Sequence, residues 1–207
     1  SSTSRGLGDV YKRQGFTKDG RLGLFAERCA PIQVSYLGYP GTTGADYMDY
    51  VIADEIVIPL DKQRFFTEKP VYMPHSYQVN NSQRAISARQ FTRTELGLPE
   101  NAFVFCCFNN NYKILPDTFD SWMRILQAVP GSVLWLFKDN EAAADNLRSE
   151  AERRGVHADR LVFASRLPAD EHLARHSAAD LFLDTLPYNA HTCLLYTSDA
   201  ADEEDSV

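Results

Sequence analysis

From about residue 90 onward the sequence predicts an α/β fold, a doubly wound parallel sheet of Rossmann-like type. Three observations predict it. Short apolar runs recur without polar alternation, stretches with apolar residues three and four apart lie between them, and the two kinds alternate along the chain. Strand, helix, strand, helix, strand, helix, strand is the order that right-handed crossovers build into a doubly wound sheet.

The elements follow in order. Residues 32–37 alternate like a strand and run into residues 38–44, where Pro40 and three glycines force turns. Residues 48–53, 55–59 and 71–74 read as further short buried elements. Residues 80–93 are polar, rich in Asn, Ser, Gln and Arg, and read as a linker between domains. Residues 103–108 (FVFCCF) form the first continuous apolar run of the second half, with Cys106 and Cys107 as buried thiols. A helix is predicted from Pro116 to about Val129, since Phe119, Trp122, Met123 and Leu126 share one face and proline suits a first turn. Residues 133–137 (VLWLF) are the next strand, and Trp122 and Trp135 are both assigned to the core. Asn140 then caps a helix that closes before Gly155. Residues 161–164 form a third strand, Pro168 to about Ala178 a third helix, and residues 180–184 a fourth strand.

Composition limits the function classes. The chain has 207 residues, 44% of them apolar and 24% charged, enough for an ordinary core and too apolar for disorder. No run approaches a membrane span and no apolar stretch suits a signal peptide, so a cytoplasmic protein without a membrane partner is expected. Four cysteines lack metal-ligand spacing. Codons for residues 9–14 (DVYKRQ) and 193–198 (CLLYTS) can be chosen as reverse complements over nearly their whole length, which resembles transposon-derived adaptor ends. Residues 1–14 and 193–207 are therefore expected to be artefactual and are set aside from the fold. The acidic residues 199–205 leave with them, and nothing basic enough for a nucleic-acid partner remains. Residues 15–87 and 88–192 are expected to form two domains.

Ligands of open α/β sheets bind beyond the carboxyl ends of the strands. The loops there carry Asn109–Lys113, Ser165 with Arg166, and residues 185–192, so lysine, arginine, histidine and amides converge. That set suits an anionic ligand such as a diphosphate, held without a metal by cations and helix N-termini. Each residue also has a plainer reading: Lys113 as a solvated loop lysine, His172 as a helix-surface residue, and residues 109–111 as a turn. The glycines at 38, 41 and 44 match neither the dinucleotide fingerprint nor a P-loop.

Residues 30–45 (APIQVSYLGYPGTTGA), followed by Met48, Asp49 and Tyr50, resemble a loop of the O-GlcNAc transferase/SPINDLY family. Residues 15–18 (GFTK), 108–114 (FNNNYKI), 130–136 (PGSVLWL), Glu171 with His172, and 183–192 (LDTLPYNAHT) are similar to its other motifs, in the same order. The resemblance implies a partial type B glycosyltransferase fold, the end of the first Rossmann-like domain plus the first half of the second. It implies inverting, metal-independent transfer of GlcNAc from UDP-GlcNAc to Ser or Thr hydroxyls of protein acceptors, with no cofactor. In that reading Lys113 is the catalytic residue, neutralising the departing diphosphate. Asn110, His172 and Arg175 lie against the nucleotide, Leu37, Gly38 and Pro40 line the sugar pocket, and His191 and Thr192 open a helix whose N-terminus cups the phosphates. Asn110 stands where the family often has Gln, and Ala169 where animal-type members have lysine. The family's histidine near the reaction centre lies upstream of this sequence, as do helical TPR repeats that present protein substrates. Two alternatives stay open: a SPINDLY-like protein O-fucosyltransferase using GDP-fucose, and a nucleotide-sugar-binding module without activity.

Overall fold

The computed structural model describes residues 21–79, 83 and 85–190. Residues 1–14 and 193–207, and with them His191 and Thr192, lie outside the described residues. The chain divides into two compact units, residues 1–79 and residues 80–207.

The first unit holds a parallel sheet in the order β1 (Val34–Ser35), β2 (Tyr50–Ala53), β3 (Lys69–Tyr72). Its core is small: Val51, Ala53 and Ile58 are buried, with Val57, Phe66 and Tyr72 packed against them. The alternation in residues 32–37 is inverted relative to ordinary patterning. Gln33 and Ser35 are buried while Ile32 and Val34 are exposed. The cause is polar satisfaction: Gln33 donates through Nε2 to the carbonyls of Phe25 and Tyr47, and its backbone N–H donates to Asp49. Residues 55–59 are not a buried strand. The buried Asp54 accepts from the amides of Ile56 and Val57, which closes a turn and leaves Ile56 exposed while Ile58 points into the core.

The second unit carries the predicted α/β succession. Its sheet runs β6 (Leu161–Ala164), β5 (Val133–Phe137), β4 (Val104–Cys107), β7 (Leu181–Phe182), and every pairing is parallel. Side chains of β4 alternate between two cores, as a strand covered on both faces requires. Phe105 and Cys107 join Phe119, Trp122, Met123 and Leu126 of helix α1 (Pro116–Ala128) and Ala151 of helix α2 (Glu141–Arg153). Val104, Cys106 and Phe108 face the other way, with Leu98, Trp135, Ala164 and Ala178. Each large side chain so buried contributes about 1.5–3 kcal/mol. Burial, aided by the neighbouring Cys107, pushes the Cys106 thiol up to about 12, so it stays a neutral packing group.

Helix α2 starts as the sequence predicts, with the Asn140 side chain accepting from the amide of Ala143 at 2.8 Å. The helix predicted from Pro168 to about Ala178 is shorter. Helix α3 (Ala169–Ala174) gives way to a 3₁₀ turn over Arg175–Ala178. Here the His176 ring bonds at 2.7 Å to the His172 carbonyl, the acceptor an α-helix would offer to the amide of residue 176. The last predicted strand is also trimmed. After Leu183 donates to the Cys106 carbonyl, Asp184 turns its side chain onto its own loop.

Candidate functional site

In the second unit β5 and β6 lie on one side of β4 and β7 on the other, so the chain changes direction between β4 and β7. The loops that leave these two strands therefore part at their carboxyl ends, which is where such sheets hold ligands. One loop is Phe108 through Lys113, whose last three residues form a 3₁₀ turn. The other is residues 183–190.

Hydrogen bonds lock the two together. Asn109, buried, donates through Nδ2 to Asp184 Oδ1 at 3.1 Å and to Thr185 Oγ1 at 2.8 Å. Thr185, fully buried, passes its own proton to the Tyr188 carbonyl at 2.6 Å. Asp184 also accepts from the amide of Ala190 and from Asn189 Nδ2. Lys113, a half-buried residue, donates from Nζ to the Asn189 carbonyl at 2.9 Å, an exposed bond that tethers the ammonium at the mouth between β4 and β7. Asn110 is exposed at the start of the same turn, and its side chain makes no capping bond.

A second cluster lies where the β6 loop meets α3. Arg175 is only 1% exposed. It donates to the Ser165 carbonyl and to His172 Nδ1, each at 2.6 Å, and its guanidinium stacks 4.8 Å from the Phe108 ring centroid. Because arginine only donates, His172 Nδ1 must accept, and its proton sits on Nε2. His176 is the opposite tautomer, since Nδ1 faces a carbonyl. Burial, with Arg175 and His176 adding to it, pulls His172 down to about 3, and burial pulls His176 to about 4, so both rings are neutral near pH 7. Burial lowers Arg175 only to about 10, so it keeps its charge. A cavity of about 230 Å³ opens beside it, lined by Arg89, Glu95, Trp135, Ser165 and Leu167 among others. The structure thus brings His172 and Arg175 together. Phe108 stands against both, next to Asn109 of the first cluster.

Leu37, Gly38 and Pro40 belong to the first unit. Leu37 and Gly38 both adopt left-handed backbone, φ 59° and 77°, and the amide of Tyr39 closes a tight turn onto the Leu37 carbonyl at 2.9 Å. A non-glycine residue there costs about 1–3 kcal/mol, strain typical of loops that shape ligand sites. The loop is anchored by Glu68, 2% exposed, which accepts from the hydroxyls of Thr42, Thr43 and Thr67 and from the amide of Thr43.

Sequence reasoning passed over Asp184, Thr185, His176 and Glu68 as functional residues and read residues 109–111 as a possible turn. Thr42 and Thr43 lie 26 and 25 positions upstream of Glu68, and Asp184 and Thr185 lie 75 and 76 beyond Asn109, so local pattern carries no signal for these pairings.

The Rossmann-like α/β unit thus carries a lysine tethered at its switch point and, around α3, a buried arginine paired with a half-buried histidine. The chain belongs to glycosyl transferase family 41, whose model matches residues 4–91 and 86–198. It is 42% identical over 183 residues to the probable UDP-N-acetylglucosamine–peptide N-acetylglucosaminyltransferase SEC of Arabidopsis thaliana, a match covering 86% of this chain and 19% of that protein. The SPINDLY protein of the same plant, named as a probable enzyme of the same kind, is 33% identical over 184 residues, covering 86% of this chain and 20% of its own length. Among solved structures, a lysine-to-methionine mutant of Thermobaculum terrenum O-GlcNAc transferase superposes with a TM-score of 0.75 at 29% identity, covering 93% of this chain and 38% of that one. The chain therefore has the fold of that transferase and spans about a fifth of the length of these curated relatives.

Proposed function

We propose that this chain is catalytic sequence of a protein O-GlcNAc transferase, which moves N-acetylglucosamine from UDP-N-acetylglucosamine to Ser or Thr hydroxyls of proteins with inversion at the sugar. The observation that carries the reading is the Lys113 ammonium held on the Asn189 carbonyl at the β4–β7 switch point. Attack by the acceptor hydroxyl on the anomeric carbon breaks the bond to the diphosphate, and negative charge grows on the departing oxygen. A pre-positioned ammonium lowers the energy of that charge more in the transition state than in the ground state. Arg175 and His172 would flank the nucleotide with Asn110, and His191 and Thr192 would hold its phosphates from the next helix. Leu37, Gly38 and Pro40 would line the sugar pocket, as the family resemblance implies. No metal or cofactor is assigned to the reaction. Helical TPR repeats upstream would present protein acceptors in the cytoplasm; no helix among the described residues is long and apolar enough to cross a membrane.

Both SEC and SPINDLY are named as UDP-N-acetylglucosamine enzymes, which supports this donor over GDP-fucose. The test is a radiolabelled transfer assay on a longer protein carrying this sequence, cloned from its source DNA, comparing UDP-GlcNAc with GDP-fucose. Transfer from UDP-GlcNAc is expected, with kcat falling about 10²–10³-fold in Lys113→Met. Preference for GDP-fucose would move the protein to the fucosyltransferase reading, and transfer from neither donor would reduce it to a binding module.

A further inference from the structure

The reading above assigns chemistry to Lys113 but leaves open what holds it in place. Asp184 is where the two switch-point loops meet. Its Oδ1 accepts from Asn109 Nδ2 at 3.1 Å and from the amides of Thr185 and Ala190 at 2.8 and 2.7 Å, while Oδ2 accepts from Asn189 Nδ2 at 3.0 Å. All of these partners are N–H donors, and a carboxylate only accepts, so Oδ1 is fully engaged while Oδ2 takes one bond on the exposed side. Two routes run from this carboxylate to the ammonium. Asn109 directly precedes Asn110, the N-cap of the turn that ends in Lys113. Asn189, pinned through its side chain to Asp184 and to the Thr185 carbonyl at 3.1 Å, presents the carbonyl that receives Nζ.

We propose that Asp184 is a positioning residue that acts through Lys113. It fixes both the backbone that carries the lysine and the carbonyl that orients its ammonium. A carboxylate near the seat of a diphosphate would ordinarily oppose the ligand. Donation from four N–H groups spreads its charge over the loop and leaves Lys113 as the group that faces the anion. An asparagine at 184 would turn an NH₂ toward an N–H, so the isosteric change breaks the array without emptying space.

This inference rests on the catalytic reading of Lys113, and a double-mutant cycle separates the two. In the full-length transferase, kcat and KM for UDP-GlcNAc are measured for the wild type, Asp184→Asn, Lys113→Met and the double variant. Asp184→Asn is expected to lower kcat by about 10- to 100-fold, the scale of a small misplacement of a reacting group. Donor KM is expected to stay within about threefold, because the loss falls on the transition state. The double variant should be no slower than Lys113→Met alone, since a residue that acts only through the lysine has nothing further to lose. Asn189→Ala, which removes the side-chain tether and keeps the backbone carbonyl, should show the same non-additivity if Asp184→Asn fails to fold. Losses that multiply in the double variant, or a raised KM with unchanged kcat, would overturn the positioning role while leaving Lys113 in place. An unimpaired Lys113→Met enzyme would remove both.

Discussion

The buried Arg175 and two half-buried histidines form a polar group in which one residue carries charge and two must not. Both rings have folded-state pKa values well below the usual 6.5, His172 at about 3 and His176 at about 4, because burial penalises the imidazolium and Arg175 repels it. The unfolded chain therefore takes up protons first as pH falls through about 6.5, and stability drops from there toward pH 4; above pH 7 neither ring contributes a slope. The unfolding midpoint is expected to be lower at about pH 5 than at about pH 7.5, and the pair His172→Gln and His176→Gln should flatten that difference. A wild-type midpoint that does not move over this interval would contradict the burial of the rings. His172 was legible in the sequence as a candidate, but the distinct tautomers of the two rings follow from contacts alone.

At the scale of elements, the loop after β1 depends on a carboxylate contributed just before β3. Although burial acts to raise its pKa, hydrogen bonds from Thr43 and Thr42 outweigh that and hold the Glu68 carboxyl below its usual range. Its contribution is present above the ordinary carboxylate pKa of 4.5 and is lost as pH falls below it. Glu68→Ala leaves the buried amide and the hydroxyl proton of Thr43 without an acceptor, which costs about 1–3 kcal/mol and frees the turn around Leu37 and Gly38. The expected outcome is faster hydrogen exchange at residues 38–45 with little change in the second unit. Protection that survives the substitution would mean the loop is held by something else. The strands and helices of the second unit were legible because each buries a long apolar run or stripe: the period of Phe119, Trp122, Met123 and Leu126 alone defines the buried face of α1. Residues 55–59 misled because Asp54 decides the backbone there and apolar pattern does not, while residues 32–37 do contain the expected strand, with Gln33 and Ser35 rather than the apolar residues buried.

Over the whole molecule the two units differ in how much apolar surface they bury. The second has two cores on a sheet covered from both faces, whereas the first, among the described residues, gathers only Val51, Ala53 and Ile58 into a buried cluster and exposes Ile32 (62%), Ile56 (87%), Leu60 (66%) and Phe65 (61%). So little burial barely offsets chain entropy. The purified 207-residue chain is expected to show strong exchange protection in β4, β5 and β6 and weak protection in β2 and β3, with dye binding typical of exposed apolar surface. One sharp transition shared by both units would refute this. The family motifs and the α/β succession were readable in advance because they are written in consecutive residues, and with them came the candidates Lys113, His172 and Arg175. By itself the sequence determined the order of elements, the apolar faces that drive them together and the chemical groups set at the ends of the strands. Only the tertiary structure decided that Asp184 gathers Asn109, Thr185, Asn189 and Ala190 around the lysine's support, and that Glu68 clamps the loop at Thr42 and Thr43. Polar partnership is a matter of distance and direction between groups far apart in the chain, and residue type at one position carries neither.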